Sequence, residues 1–121
     1  MDIPELSFQL NIDCEADFEV FKIRFRDICS DSVVEWQKSG VGSSPENWIE
    51  LERNFDYDPI LKKGSDEWVH YPYIVHVFTK KNPSPNMEDF NNQLKFARFL
   101  IAEIKKLGYS VKLNAEFETL I

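Results

Sequence analysis

His70, His76 and the run Asn54-Phe55-Asp56-Tyr57-Asp58 are the side chains whose types and spacing could do chemistry. Imidazole titrates near neutrality without help, and acids two residues apart are how a calcium loop begins. Neither pattern carries through. On one strand the two histidines would stand about 20 Å apart at ~3.3 Å per residue, too far to share a metal. A calcium loop starting at Asn54 needs glycine at its sixth position and glutamate at its twelfth; this chain has Pro59 and Ser65 there. Asp56, Asp58, Asp66 and Glu67 could form a carboxylate set for acid–base work, but a chain with 21 acids gathers such a set by chance. No glycine-rich nucleotide cradle is present, and no local motif pairs a serine or cysteine with a histidine.

The cysteines offer no more. Cys14 sits among Asp13, Glu15 and Asp17, a setting that disfavours a reactive thiolate. With Cys14 and Cys29 at opposite ends of one helix, about 22 Å would separate them. A disulfide needs Cα atoms within about 7 Å. Two buried thiols are expected, with no metal and no cofactor.

The richest stretch is P-E-N-W-I-E-L-E-R-N-F-D-Y-D-P, from Pro45 to Pro59. Acids alternate there with aromatics, which are favoured anchors at protein interfaces. Glu46, Trp48, Glu50, Glu52, Asp56, Tyr57 and Asp58 are the candidate partner-binding residues. Charge supports the same direction. The net charge is −7, and residues 1–60 hold 14 acids against 5 bases. An acidic half repels phosphate backbones and suits a basic protein.

These residues need elements to hold them. The chain of 121 residues, 43% hydrophobic, has the size and apolar content of a single domain, 1–121. Leu6 to Ile12 alternates strictly and predicts a strand. Asp13 is a candidate N-cap for a helix ending near Ser30, with Phe18, Phe21, Phe25, Ile28 and Cys29 on its inner face. Val20 and Ile23 point away from that face. Val33 to Lys38 predicts a second strand. Ser44-Pro45-Glu46 starts a short helix with Trp48, Leu51 and Phe55 on one side; a strand is the rival, because Ile49, Leu51 and Arg53 alternate with Trp48, Glu50 and Glu52. Asp58 to Gly64 carries signals for one further helical turn.

Trp68 to Lys80 predicts a central strand, its regular pairing starting after Pro72 and His76 on the open side of the sheet. Met87 to Leu107 predicts a helix with a stripe of Phe90, Leu94, Ala97, Leu100, Ile101, Ile104 and Leu107, and with Phe99 pointing away. Tyr109 to Phe117 predicts the last strand. The order is that of a ferredoxin-like βαββαβ sandwich, with a four-stranded antiparallel sheet, two helices on one face and a long insertion between strands two and three. Its open face would show Ser7, Gln9, Asn11, Ser110, Lys112, Asn114 and Glu116. That polar surface lacks the aromatics an RNA-binding sheet displays, so no nucleic-acid partner is expected.

No apolar run reaches the ~20 residues of a membrane helix. No signal peptide is apparent, so a cytoplasmic protein is expected. Two functions fit. One is an acidic interaction domain, not an enzyme, that blocks a basic protein, as a toxin-neutralising immunity protein or nuclease inhibitor does. The other is a small enzyme or small-molecule binder, with a pocket between residues 39–67 and the sheet served by His70, His76, Asp56 and Asp58.

Overall fold

Strict alternation places Phe8, Leu10 and Ile12 of strand β1 (Phe8–Asp13) in the core. The structure, a computed structural model, describes residues 2–61 and 67–121. Outside the described residues fall Lys62-Lys63, Ser65, Asp66 and the end of the turn read from Asp58 to Gly64.

Helix α1 (Phe18–Ile28) starts at Asp17, whose carboxylate accepts from the Val20 amide at 3.0 Å. The expected cap, Asp13, instead closes β1. Two short strands follow, β2 (Glu35–Trp36) and β3 (Gly42–Ser43), then β4 (Asn47–Arg53) and β5 (Tyr73–Thr79). Helix α2 (Met87–Lys106) opens on a reciprocal capping box between Asn86 and Asp89. Strand β6 (Ser110–Asn114) ends the sheet. All pairings are antiparallel, in the order β2-β3-β4-β5-β1-β6.

The sheet therefore has six strands, not four. The strand expected over Val33–Lys38 is only the two-residue edge β2. The helix expected over 45–53 is strand β4, paired with β5 along its whole length. The supposed insertion thus contributes β3 and β4 to the sheet. Its helix-start signals serve a turn: Ser44 Oγ accepts from the Asn47 amide at 3.1 Å, and Pro45 sits in the bend. Residues Glu67–His70 form a 3₁₀ turn ahead of β5.

Both helices cover one face. Tyr73 of β5 stacks on Phe21 of α1, with centroids 5.0 Å apart. Phe8 of β1 meets Phe96 of α2 edge-on at 6.5 Å. Phe8 lies across from Val77 and Ile12 across from Tyr73, so these rings share a sheet face. Buried Ile49, Val75, Leu100, Ile104 and Leu113 complete that core. The stripe of α2 is rotated from the expected one: Gln93 is buried and Leu107 is exposed.

The β2–β3 hairpin is pinned at Trp36, which meets Phe25 at 6.3 Å and lies under the Arg26 guanidinium. Gly42 passes so close to that indole that a Cβ would sit 2.9 Å from it. The hairpin turn ends at Gly40, whose φ of +91° favours glycine. That turn leads into β3, which pairs with β4 through only two residues, Gly42 and Ser43.

Candidate functional site

The uncovered face of the sheet is built by the even-numbered residues of β4 and β5. Asn47 and Ile49 point inward, so Trp48, Glu50 and Glu52 point out. Register places Phe78 across from Trp48, His76 across from Glu50, and Ile74 across from Glu52. Gln9 and Asn11 of β1 follow, then Asn114 and Lys112 of β6.

Trp48 and Phe78 are 41% and 43% exposed, large values for rings inside a sheet. His76 stacks flat on Phe78, with centroids 5.6 Å apart. Its Nε2 lies 2.7 Å from Glu52 Oε1. The Lys80 ammonium stands 3.9 Å from the Trp48 centroid and reaches Ser43 Oγ at 2.8 Å. Among the described residues, the exposed Glu50 carboxylate has no ion-pair partner. The 3₁₀ turn closes one end of this face, where Trp68 O accepts from the buried Asn11 side chain at 3.2 Å.

The face is consequently not the uniformly polar one expected. β6 does present Lys112 and Asn114, and β1 the half-buried Gln9, but Asn11 is buried against the 3₁₀ turn, contrary to expectation. The aromatics come from β4 and β5, and reading 45–53 as a helix hid the partnership of Trp48 with Phe78. The same alternation that exposes His76 could have found Phe78 and Ile74.

The expected partner-binding set divides. Trp48, Glu50 and Glu52 form one outward row. Asp56 and Tyr57 are exposed on the turn that follows β4, beside the fully exposed Phe55. That turn is clipped by Asn54, whose side-chain amide donates to Val69 O and Tyr71 O at 2.8 and 2.7 Å. Asp58 is turned onto its own chain. Its carboxylate accepts from the Leu61 and Ile60 amides, which hold its pKa below the usual carboxylate value. Glu46 is half-buried on another side, lining a recess with Val33, Val34 and Phe96.

Of the enzymatic alternative's groups, His70, Asp56 and Asp58 meet on one turn, where the Asp58 amide donates to His70 O at 3.2 Å, and His76 stands apart. His76 goes to Glu52 on the open face. His70 Nδ1 lies 2.9 Å from the Asp56 carbonyl, beyond the end of β4. No described cluster of three His, Cys, Asp or Glu could hold a metal ion. Residues 39–53 border a recess at the sheet edge instead of lying over the sheet.

Both cysteines are free and buried: Cys14 follows β1 and Cys29 follows α1. Burial raises the Cys14 pKa and pushes that of Cys29 up to about 12. Iodoacetamide at neutral pH should therefore label Cys29 at least about a hundredfold more slowly in the native chain than in urea, and Cys14 more slowly as well, because only thiolate reacts. Fast native labelling of either thiol would contradict this burial.

The chain matches no protein-family model, no curated protein and no solved structure. No described helix is long and apolar enough to cross a membrane.

Proposed function

We propose that this chain is a protein-interaction domain whose open sheet face docks a basic protein partner. One observation carries the reading: Trp48, Glu50 and Glu52 project in a row from a single strand, on a face no described helix covers, beside exposed Phe78. A strand fully paired on one side holds such a row rigidly, which lowers the ordering cost of binding. Trp48 and Phe78 supply the apolar anchor, and the carboxylates select a cationic rim on the partner. A toxin-neutralising or nuclease-inhibiting role in the cytoplasm is the concrete form, with occlusion of a basic cleft as the mechanism. The connection β1-α1-β4-β5-α2-β6, with sheet order β4-β5-β1-β6, supports a ferredoxin-like core to which β2 and β3 add an edge.

The test uses Glu50→Gln/Glu52→Gln and leaves Asp58 intact, since that carboxylate holds its own turn. Association with a basic partner captured on the wild-type chain should slow by about tenfold at low ionic strength, and the difference should vanish at high salt. An unchanged rate would remove the acidic row from the mechanism. Stacked aromatics could also meet bases. The carboxylates beside them repel phosphate, so an oligonucleotide bound by wild type, and more tightly by the double variant, would replace the protein partner.

A further inference from the structure

We infer that the outer edge of β4 is a docking edge, which adds an extended basic segment of the partner as a further strand. The inference rests on the proposed function and specifies how its partner is held.

Hydrogen-bond parity identifies the free groups. The Lys80 amide donates to Glu46 O and the Asn54 amide to Pro72 O, both toward the β5 side. In an antiparallel ladder such bonds recur at every second residue. Residues 46, 48, 50, 52 and 54 therefore bond toward β5, and 47, 49, 51 and 53 face the other way. The Ser44 amide donates to Asn47 O, in agreement, and Gly42 lies across from Ile49. Continued in register, β3 would place Gly40 across from Leu51 and Lys38 across from Arg53. Instead the chain turns at Gln37–Val41 and leaves the ladder. Among the described residues, Leu51 and Arg53 are left with outward N–H and C=O groups on an open edge.

A recess of about 320 Å³ lies along this edge, lined by Phe18, Lys22, Gly40, Val41, Leu51 and the two carboxylate residues flanking Leu51. Side chains of an added strand would alternate between the two sheet faces. Those on the open face would stand beside Glu50 and Glu52, which calls for lysine or arginine. Those on the helix face would meet Leu51 and the Phe18 ring, over which the Lys22 and Arg53 cations stand; that excludes further cations on this side and suits apolar residues. Self-pairing is disfavoured: a two-fold edge contact centred on Leu51 sets Glu50 of each copy against Glu52 of the other. The opposite edge, β6, shows Ser110, Lys112 and Asn114 on its open face and no carboxylate. The occupant is thus a basic segment in which cationic and apolar residues alternate.

The probe is a capped heptapeptide alternating lysine and valine, added to the full ¹⁵N-labelled chain. Amide-resolved hydrogen exchange should show Leu51 and Arg53 slowed by about tenfold or more at saturation, as expected for newly bonded amides. Glu50 and Glu52 amides, already bonded to β5, should change little. Unchanged exchange at Leu51 and Arg53 would overturn the inference. So would protection that grows with protein concentration alone, which would mark a second copy as the occupant.

A proline variant isolates the backbone. Arg53→Pro removes the guanidinium over Phe18, as Arg53→Ala does, and in addition an outward donor; relative to Arg53→Ala it should weaken peptide binding by up to about tenfold, the worth of one hydrogen bond. Arg53→Ala should bind at least as well as wild type. If Arg53→Pro binds like Arg53→Ala while Glu50→Gln/Glu52→Gln weakens binding, edge pairing fails and the acidic-row reading stands. If neither variant matters, both fall.

Discussion

Phe21→Ala should lower the free energy of unfolding by about 3–5 kcal/mol, the largest single-side-chain loss expected here. Phe21 is buried against Tyr73, in a near-parallel stack, and against Phe25 at 6.2 Å. Tyr73 in turn carries Phe18 at 5.4 Å and donates its hydroxyl to Ala16 O at 2.6 Å. Removing the Phe21 ring leaves a cavity that this rigid cluster cannot refill by simple collapse. Domains of ordinary stability have about 5–15 kcal/mol in total, so the loss is a large fraction. Urea unfolding checks it: the midpoint should fall with the slope unchanged.

The effect should reach the candidate site. Phe18 forms part of the recess beside β4 and supports the Lys22 and Arg53 cations at 4.9 Å each. With Tyr73 loosened, Phe18 loses its backing, and partner binding should weaken in conditions where the variant is still folded. Phe21→Leu should lose less than Phe21→Ala on both measures. A loss below about 1 kcal/mol for Phe21→Ala would show that the cluster repacks and that the ring is not a support.

How much of this was legible in the sequence depends on what competed locally. β1, α1, α2 and β6 each carry one dominant period, and their existence followed from it. Their ends moved where capping decided: Asp17, not Asp13, holds the Val20 amide, so α1 begins later. β4 had two periods at once. Trp48, Leu51 and Phe55 fit a helix face, whereas Ile49 and Leu51 against Trp48, Glu50 and Glu52 fit a strand. Pairing with β5 over seven residues resolved the conflict, and no local propensity contains that long-range fact. The site suffered for the same reason. Glu50 and Glu52 were recognisable as surface acids, yet their common direction exists only in a strand. The open edge beside Leu51 depends on where the β2–β3 hairpin leaves the ladder, which Gly40 marks only in hindsight.

The buried amide pair is the feature that no period announced. Gln93 falls between Phe90 and Ala97 on the inner stripe of α2, where an apolar residue would fit the pattern. Its Nε2 donates to Leu6 O and to Asn47 Oδ1 at 2.8 Å each, and its Oε1 accepts from Asn47 Nδ2 at 3.0 Å. All are shielded from water, since Asn47 and Gln93 are 2% and 3% exposed. Gln93→Leu would strand both halves of the Asn47 amide and the Leu6 carbonyl. Each unsatisfied group costs about 1–3 kcal/mol, so a loss of about 3 kcal/mol or more is expected.

The double change Asn47→Leu/Gln93→Leu leaves only the Leu6 carbonyl bare, so its cost should be well below the sum of the two single changes. What the double variant gives up is register. Asn47 opens β4, and its tie to α2 helps specify that Trp48, Glu50 and Glu52 face out; a slip by one residue would turn them inward. The double variant should therefore recover stability more fully than it recovers partner association. Additive costs would show that the two amides do not act as a pair. Full recovery of both properties would show that the hydrophobic alternation of β4 sets the register without them.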